Sequence, residues 1–306
     1  MSWYPIALPS QAGRRYLVTG ANAGVGFFTA ARLAGAGAHV VLSGRSPERL
    51  AAAATAIRGA RPAASVEVLV IDQSSLDSVD AGAEQLLAAA PLDGVVANAG
   101  MVHAPRVRLE SVDGNELVLA TNVLGHFALL GRLLPHLEPG ARIVSLGSLS
   151  SRLSSFRLDD LQLTRGYDSW RAYAQSKIAT QVFGFELDRR LRAAHARVAS
   201  VIVHPGYSIR GRTPEVPGVS EPGRGDRFVD ELQAAWAQGK HRGAEIPLHA
   251  LTAPGVQGGQ FWGPRFLTRG GPTLQTPTRV STDPVVGDRF WTFAEGATGR
   301  SFTVGG

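Results

Sequence analysis

The fold of this 306-residue chain is decided by one stretch near its start, Tyr16-Leu17-Val18-Thr19-Gly20-Ala21-Asn22-Ala23-Gly24-Val25-Gly26. Its first four residues form a short apolar run typical of a buried strand, and its three glycines permit a tight turn. Such a turn between a strand and a helix lets the backbone approach a pyrophosphate, whose charge suits the helix N-terminus. The stretch therefore predicts a strand–turn–helix unit that holds a dinucleotide.

Outward from this unit, short apolar runs alternate with helical stretches. The predicted strands are Tyr16–Thr19, His39–Ser43, Val66–Ile71, Gly94–Asn98, Ile143–Leu146, Val198–Val203 and a last one near Gln260–Trp262. The main predicted helices are Pro47–Arg58, Leu76–Ala90, Asn115–Leu137, Trp170–Ala194 and Asp226–Gln238. Uninterrupted apolar strands separated by helices indicate a parallel sheet covered on both faces. We expect a single α/β domain over residues 1–306, a doubly wound parallel sheet of about seven strands.

After His204 the sequence no longer alternates short apolar runs with helical stretches. Residues 207–225 belong to a stretch rich in Gly, Pro and Arg without a clear period, and a loop of this length is often a functional lid. Residues 263–306 alternate prolines and glycines before a short predicted helix near Asp288–Glu295. We therefore predict a substrate lid at 207–225 and an irregular C-terminal extension at 263–306.

Composition excludes several classes of function. The chain has no cysteine and eight scattered histidines without a His-Glu-x-x-His pair, so we expect no metal site. Its net charge of +6 comes from dispersed arginines, which argues against a nucleic-acid partner. The apolar run Leu117–Gly131 is too short and polar to span a bilayer, and Met1–Gly13 lacks a signal-peptide pattern, so we expect a cytoplasmic protein.

One tyrosine and one lysine stand a helical turn apart in Tyr173-Ala174-Gln175-Ser176-Lys177. The pairing is informative because only Lys177 and Lys240 among the 31 basic residues are lysines. An ammonium at this spacing stabilises a phenolate and lowers the tyrosine pKa, and a tyrosine so tuned can exchange a proton with a carbonyl or alcohol oxygen. Taken alone, the pattern also fits two neighbouring surface residues.

The end of the second predicted strand bears on the choice of cofactor. An NAD site needs an acidic residue there for the ribose 2′-hydroxyl, but the sequence reads Ser43-Gly44-Arg45. Arg45 could instead meet a 2′-phosphate. The sequence therefore favours NADP(H) over NAD(H).

Together these motifs resemble the short-chain dehydrogenase/reductase family, in particular its retinol-dehydrogenase-like branch and related bacterial oxidoreductases. The resemblance runs from Thr19 to about Gly206 and implies a Rossmann fold. Together with Ser43 and Arg45 at the end of the second strand and Ser208 after Pro205-Gly206, the resemblance predicts the following cofactor contacts: Thr19, Gly20, Asn22, Gly24, Val25, Gly26, Ser43, Arg45, Asp72, Asn98, Ala99, Gly100, Tyr173, Lys177, Pro205, Gly206 and Ser208. Asp72 matches an adenine contact, although it could equally cap the following helix.

The resemblance also implies a catalytic set of Asn122, Ser148, Tyr173 and Lys177. In it Tyr173 is the acid/base, Lys177 lowers its pKa, Ser148 polarises the substrate oxygen and Asn122 holds a water. Ser148 stands in a serine-rich stretch, and Asn122 could alternatively be a polar residue that bends a core helix. Ser148, Leu149, Trp170 and Tyr207 are predicted to line the substrate site.

Two positions depart from the family pattern. The family usually places a threonine shortly after Pro205-Gly206, whereas this chain offers Ser208 and Arg210 there. Gly147 precedes Ser148 where a serine is common, which suggests close packing or an altered geometry beside the substrate oxygen.

These features predict hydride transfer between a nicotinamide and a carbonyl or alcohol of a lipophilic or aromatic small molecule. One alternative is an enone reductase or an epimerase on the same scaffold, and another is a non-catalytic NADP-binding regulator. Relatives are often dimers or tetramers, so a homo-oligomer is possible.

Overall fold

A computed structural model describes residues 8–233 and 235–304 of the chain. The prediction for Met1–Gly13 therefore falls largely outside the described residues. The strands are β1 Arg15–Thr19, β2 His39–Gly44, β3 Ser65–Val70, β4 Leu92–Ala97, β5 Leu137–Leu146, β6 Ala199–Val203, β7 Ser208–Ile209, β8 Gln238–Gly239, β9 Phe261–Pro264 and β10 Pro272–Leu274. The helices are α1 Gly24–Gly35, α2 Pro47–Ala60, α3 Leu76–Leu87, α4 Leu117–Leu119, α5 Gly125–Leu133, α6 Ser169–Ala193, α7 Arg224–Glu231, α8 Lys240–Gly243, α9 Glu245–Thr252, α10 Arg279–Thr282 and α11 Pro284–Thr298.

The main sheet has the order β10-β9-β6-β5-β4-β1-β2-β3, so in the described part of the chain it has eight strands rather than the seven or so expected. The order reverses between β1 and β4, as in a doubly wound fold, which confirms the predicted class. The additional strand arises because the chain turns back after β9, where the Arg265 amide bonds to the Gly271 carbonyl at 2.9 Å. As a result β10 pairs antiparallel with β9 at the edge.

Alternate residues of the strands supply two hydrophobic cores, one on each face of the sheet. Along β1, Leu17 packs with residues of α3, α5, α6 and α11, whereas Tyr16 and Val18 pack with residues of α1, α2 and α9. This division follows from the two-residue period of a strand. Both faces of the sheet are therefore covered. In doubly wound folds ligands bind in the crevice at the carboxyl ends of the parallel strands, and this end of the sheet is here called the cleft.

The long apolar helix predicted at Asn115–Leu137 is interrupted. A π-helical turn at Ala120–Leu124 separates α4 from α5, and a 3₁₀ turn at Leu134–His136 follows. Single π turns occur frequently at functional sites because they displace one side chain from the helical register. Among the described residues, Leu117–His136 is long and apolar enough to cross a membrane, but 72% of its most apolar part is buried inside this fold, as in a core helix.

The C-terminal region is more regular than the sequence predicted. The short helix expected at Asp288–Glu295 is a 15-residue helix, α11, that begins after the N-cap Asp283 and ends at Gly299 in the left-handed conformation. Its buried residues Phe290 and Trp291 pack in the same core as α5 and α6. Pro284 and Gly299 mark the two ends of this helix, whereas Gly287 and Gly296 lie inside it.

The segment predicted as a lid contains β7 and leads into α7. Helix α7 ends at Glu231 rather than at the predicted Gln238, because Gln238 lies in β8, which pairs with β7. Within the predicted lid, Val216 is buried against the core that contains α1 and α2. Opening and closing of this segment over a substrate stays a prediction.

Candidate active site

The turn after β1 is held by side chains on both sides. The Thr19 hydroxyl accepts hydrogen bonds from the Asn98 and Ala99 amides, both at 2.9 Å, and the Asn98 side-chain amide donates to the Thr19 carbonyl at 2.7 Å. A Cβ placed on Gly26 would lie 2.3 Å from Asn98 Nδ2 and 2.4 Å from the Gly20 carbonyl oxygen. Only glycine fits there, so the end of β4 and the turn form one rigid unit.

This unit presents an uncapped helix N-terminus. The N-cap of α1 is Ala23, whose side chain cannot accept a hydrogen bond, and the first turn of α1 carries no acidic residue. The free amides at Gly24, Val25 and Gly26 therefore carry the positive end of the helix dipole without a partner from the cap. The chemistry of this end fits the pyrophosphate of a dinucleotide.

The end of β2 combines one buried and two surface groups. Ser43 is buried, and within the described residues its hydroxyl has no hydrogen-bond partner. Arg45 is exposed directly after the strand. Arg49 reaches Asn22, whose amide oxygen, in the orientation that satisfies both groups, accepts from Arg49 Nε and Nη2 at 3.2 Å. Two guanidinium groups, one of them fixed to the glycine turn, thus belong to this end of the cleft.

Asp72 does not cap the helix that follows it. Its carboxylate accepts hydrogen bonds from the Ser74 amide at 2.9 Å and the Ser74 hydroxyl at 2.7 Å, which closes a local turn after β3. The N-cap of α3 is Ser75 instead. The capping alternative for Asp72 is therefore wrong, and its position at the end of β3 leaves an adenine contact as a prediction.

The tyrosine and the serine of the predicted catalytic set meet at the end of β5. The Tyr173 hydroxyl, on α6, donates to Ser148 Oγ at 3.3 Å. The neighbouring serines are oriented differently: Ser145 and Ser150 are buried, and the Ser151 hydroxyl donates to the Ser148 carbonyl at 2.7 Å. Of the serine-rich stretch, Ser148 is the residue brought to Tyr173.

Lys177 lies one turn further along α6 and is buried. Its ammonium donates to the Leu146 carbonyl at 2.7 Å, and burial lowers its pKa from 10.5 to about 8. Burial also raises the pKa of Tyr173, an effect that the hydrogen bond to Ser148 opposes. This differs from the expectation that Lys177 lowers the Tyr173 pKa, because burial disfavours the phenolate more than the Ser148 hydrogen bond favours it.

Asn122 lies in the π turn and joins three elements. Its Oδ1 accepts from the Met101 amide at 2.6 Å, and its Nδ2 donates to Ser176 Oγ at 2.8 Å. A Cβ placed on Gly100 would lie 3.1 Å from Asn122 Oδ1 and 3.6 Å from Lys177 Nζ, so these groups share one corner of the cleft. The two interpretations of Asn122 are compatible, since it lies in the helix irregularity and also faces the predicted site.

Two residues near the site were missed by the sequence analysis. His126 Nε2 lies 2.9 Å from the Thr19 hydroxyl and Nδ1 lies 3.2 Å from the Asn122 carbonyl, while burial lowers its pKa to about 4. Gln181 donates to the Ser148 carbonyl at 3.2 Å and to Ser151 Oγ at 2.8 Å. Both are buried polar groups, and such groups need partners.

Gln181 also accounts for the unusual Gly147. A Cβ at Gly147 would lie 3.0 Å from Gln181 Cγ and Nε2, which leaves little space for a serine side chain. The departure from the family pattern therefore reflects close packing against α6.

The region after β6 closes the other side of the cleft. The Pro205 carbonyl accepts from Ser208 Oγ at 2.9 Å and from Gln238 Nε2 at 2.8 Å, so the Ser208 hydroxyl stabilises the turn at Gly206. Tyr207 is 42% exposed, and its hydroxyl donates to Gln233 at 2.6 Å.

Trp170 and Leu149 lie near the catalytic pair. Trp170 is 51% exposed with its ring 6.5 Å from that of Tyr173, and Leu149 directly follows Ser148. An exposed aromatic side chain thus lies beside the Tyr173 ring, and an aliphatic residue directly follows Ser148.

The chain is similar in sequence to known dehydrogenases. A family model described as short chain dehydrogenase matches residues 14–210. The chain is 33% identical over 268 residues to mouse retinol dehydrogenase 14, covering 82% of this chain and 78% of that protein. It is 38% identical over 209 residues to mouse polyprenol dehydrogenase, where the match covers 66% of this chain and 62% of that protein.

Solved structures show the same fold. A protein from Mycobacterium paratuberculosis, described as putative and uncharacterized, superimposes with a TM-score of 0.80 and 32% identity over 99% of both chains. An RhlG/NADP active-site complex from Pseudomonas aeruginosa superimposes with a TM-score of 0.61 and 26% identity, over 83% of this chain and 95% of that one. The similarity therefore extends beyond the region that the family model matches.

Proposed function

Because the chain belongs to the short-chain dehydrogenase/reductase family, in its retinol-dehydrogenase-like branch, we propose that it is an NADP(H)-dependent oxidoreductase acting on a carbonyl or secondary alcohol of a lipophilic small molecule. The observation that carries the proposal is the Tyr173–Ser148 hydrogen bond of 3.3 Å, formed beside the buried Lys177. A proton donor and a second hydroxyl at this distance can both reach one substrate oxygen.

Different residues have different roles around the substrate oxygen. The nicotinamide cofactor, held at the turn Gly20–Gly26, supplies the hydride chemistry. In the direction of reduction, Tyr173 donates its proton to the substrate oxygen, and Ser148 stabilises the negative charge that develops there. In the opposite direction the phenolate of Tyr173 accepts the proton of an alcohol.

Lys177 and Asn122 support the tyrosine. The ammonium of Lys177, fixed by the Leu146 carbonyl, has further N–H groups for a ribose hydroxyl. Its positive charge, one helical turn from Tyr173, opposes the rise in the Tyr173 pKa that burial causes. Asn122 fixes the helix turn that approaches Gly100 and Lys177. These assignments follow the family pattern and the contacts described above.

Preference for NADP(H) rests on charge at the end of β2. Ser43 and Arg45 occupy the positions where an NAD-specific site has an acidic side chain, and Arg49 is fixed to Asn22 nearby. A guanidinium can bind a 2′-phosphate through two parallel hydrogen bonds. This arrangement supports NADP(H) over NAD(H).

The surface beside Tyr173 supports a lipophilic or aromatic substrate. Trp170 lies beside the Tyr173 ring, and Trp170, Tyr207, Phe228 and Trp236 are all at least 42% exposed. The names of the relatives, retinol dehydrogenase and polyprenol dehydrogenase, refer to lipophilic alcohols. We accordingly propose that residues 207–225 cover such a substrate, and that the protein acts in the cytoplasm without a membrane span.

The direct test is NADPH consumption with a panel of ketones, aldehydes and enones. Product analysis should show an alcohol from a ketone or aldehyde, with the carbon–carbon double bond of an enone left intact. A saturated ketone would indicate an enone reductase, and interconversion of epimers without net NADPH consumption would indicate an epimerase. NADPH binding without turnover of any class would favour a regulator.

A further inference from the structure

The second lysine of the chain also lies at the dinucleotide cleft. Lys240 begins α8, a short helix that follows β8 and is distant in sequence from every motif of the predicted site. A Cβ placed on Gly24 would lie 3.5 Å from Lys240 Cδ and 3.9 Å from Lys240 Nζ. The lysine side chain therefore lies across the first residue of α1, where the glycine turn ends.

Backbone contacts fix Lys240 in this position. Its amide donates to Thr213 Oγ1 at 2.9 Å, and the Thr213 hydroxyl donates to the Ile209 carbonyl at 2.7 Å. The neighbouring His241 ring packs edge-on against Phe28 of α1 at a centroid distance of 6.0 Å. The segment after Pro205-Gly206 thus places Lys240 at the glycine turn, although it lacks the threonine that the family usually has shortly after Pro-Gly.

The Lys240 ammonium forms no ion pair in the described part of the chain. Within the described residues, Lys240 Nζ makes no hydrogen bond, and the carboxylate of the nearby Asp230 accepts instead from the Gly211 amide at 2.6 Å. Burial and the nearby Arg210 lower the Lys240 pKa, and Asp230 opposes this shift. A half-buried ammonium that forms no ion pair is stabilised by a bound anion.

We propose that Lys240 is a cofactor-binding residue that donates hydrogen bonds to the pyrophosphate of the dinucleotide at the N-terminus of α1. The proposal rests on the proposed function, since it assumes that the glycine turn holds a dinucleotide. It assigns the two lysines of the chain to two parts of one ligand: Lys177 binds the nicotinamide ribose, and Lys240 binds the pyrophosphate. The compact ammonium suits this place, because the bulkier guanidinium would have to fit against the Gly24 backbone.

Equilibrium binding to Lys240→Met tests the contact. Methionine keeps most of the stem that packs on Gly24 and removes the charge. A hydrogen bond to a charged group contributes roughly 10- to 100-fold in an equilibrium constant, so the Kd values of NADPH and NADH should both rise by about that factor. Loss for NADPH alone would move the contact to the 2′-phosphate and overturn the assignment, and unchanged or tighter binding of both would also overturn it. If wild-type protein bound neither dinucleotide, the proposed function itself would fail.

Chemical labelling of wild-type protein gives a test that does not depend on a variant. With only two lysines in the chain, acetylation by acetic anhydride can be followed at each one by mass spectrometry. Saturating ADP, which carries the pyrophosphate, should slow labelling of Lys240, whereas adenosine should leave it unchanged. Buried Lys177 is the internal reference for an intact fold. Equal labelling of Lys240 with and without ADP would contradict the proposal.

Discussion

The burial of Lys177 predicts how stability depends on pH. In the unfolded chain this lysine titrates near 10.5, whereas in the fold burial lowers its pKa to about 8. Between these pH values the unfolded chain holds the proton and the native protein does not, so this group makes the native state more stable as pH rises. At about 1.4 kcal/mol per pH unit, the full effect is about 3 kcal/mol.

Lys177→Met removes the titrating group and isolates the effect. The penalty for a buried charge is fully present below pH 8 and is gone above pH 10.5, and methionine carries no such penalty at any pH. The difference in unfolding free energy between wild type and variant should therefore shift by about 3 kcal/mol in favour of wild type between about pH 7.5 and about pH 10.5.

Urea denaturation of both proteins across this range, without cofactor, measures the difference directly. Lys240→Met is the matched control: this lysine is more exposed, so its stability difference should change less with pH. A Lys177 difference that stays constant from neutral to alkaline pH would refute the reasoning, because it would mean that the fold does not perturb the ammonium.

Three further predictions concern other parts of the molecule. Arg45→Ala should weaken NADPH binding by about 10-fold or more and leave NADH nearly unchanged in equilibrium titrations, since a lost charge-assisted bond affects only the 2′-phosphate; an equal effect on both would remove Arg45 from that role. Gly147→Ser should destabilise the protein by about 1–3 kcal/mol in urea denaturation, because the new side chain meets Gln181; unchanged stability would show that Gln181 can move aside. Trp291→Ala should cost about 3–5 kcal/mol in the same assay, because Trp291 is 2% exposed and packs on Phe127 at 5.2 Å; a loss under about 1 kcal/mol would contradict the role of α11 in the core.

Much of the fold could be predicted because local signals agreed with the global architecture. The glycine turn, the apolar strands and the order of the motifs each indicate a parallel doubly wound sheet. The predictions fail where contacts between residues distant in the sequence determine the secondary structure. Strand β10 forms only because a hairpin returns to β9, and α7 stops at Glu231 because Gln238 pairs with the region after Pro205.

The candidate site, too, could be predicted only in part from the sequence. Tyr173, Ser148 and Lys177 could be selected from type, spacing and resemblance, and the fold brings Tyr173 to Ser148. The direction of the Tyr173 pKa shift could not be predicted from the sequence, because the burial of Tyr173 depends on the whole fold rather than on the i and i+4 spacing. Lys240 was noted in the sequence only as a rare residue type, since its contact with Gly24 joins segments far apart in the chain.

Turnover by Tyr173→Phe is the measurement that bears most directly on the proposed chemistry. Phenylalanine keeps the ring beside Trp170 and removes the hydroxyl that donates to Ser148. With a carbonyl substrate found in the panel, the turnover number should fall at least about 100-fold, the usual scale for general acid–base catalysis, while NADPH still binds within a few-fold of wild type. Turnover close to that of wild type would show that another group moves the proton, and the assignment of Tyr173 would be wrong.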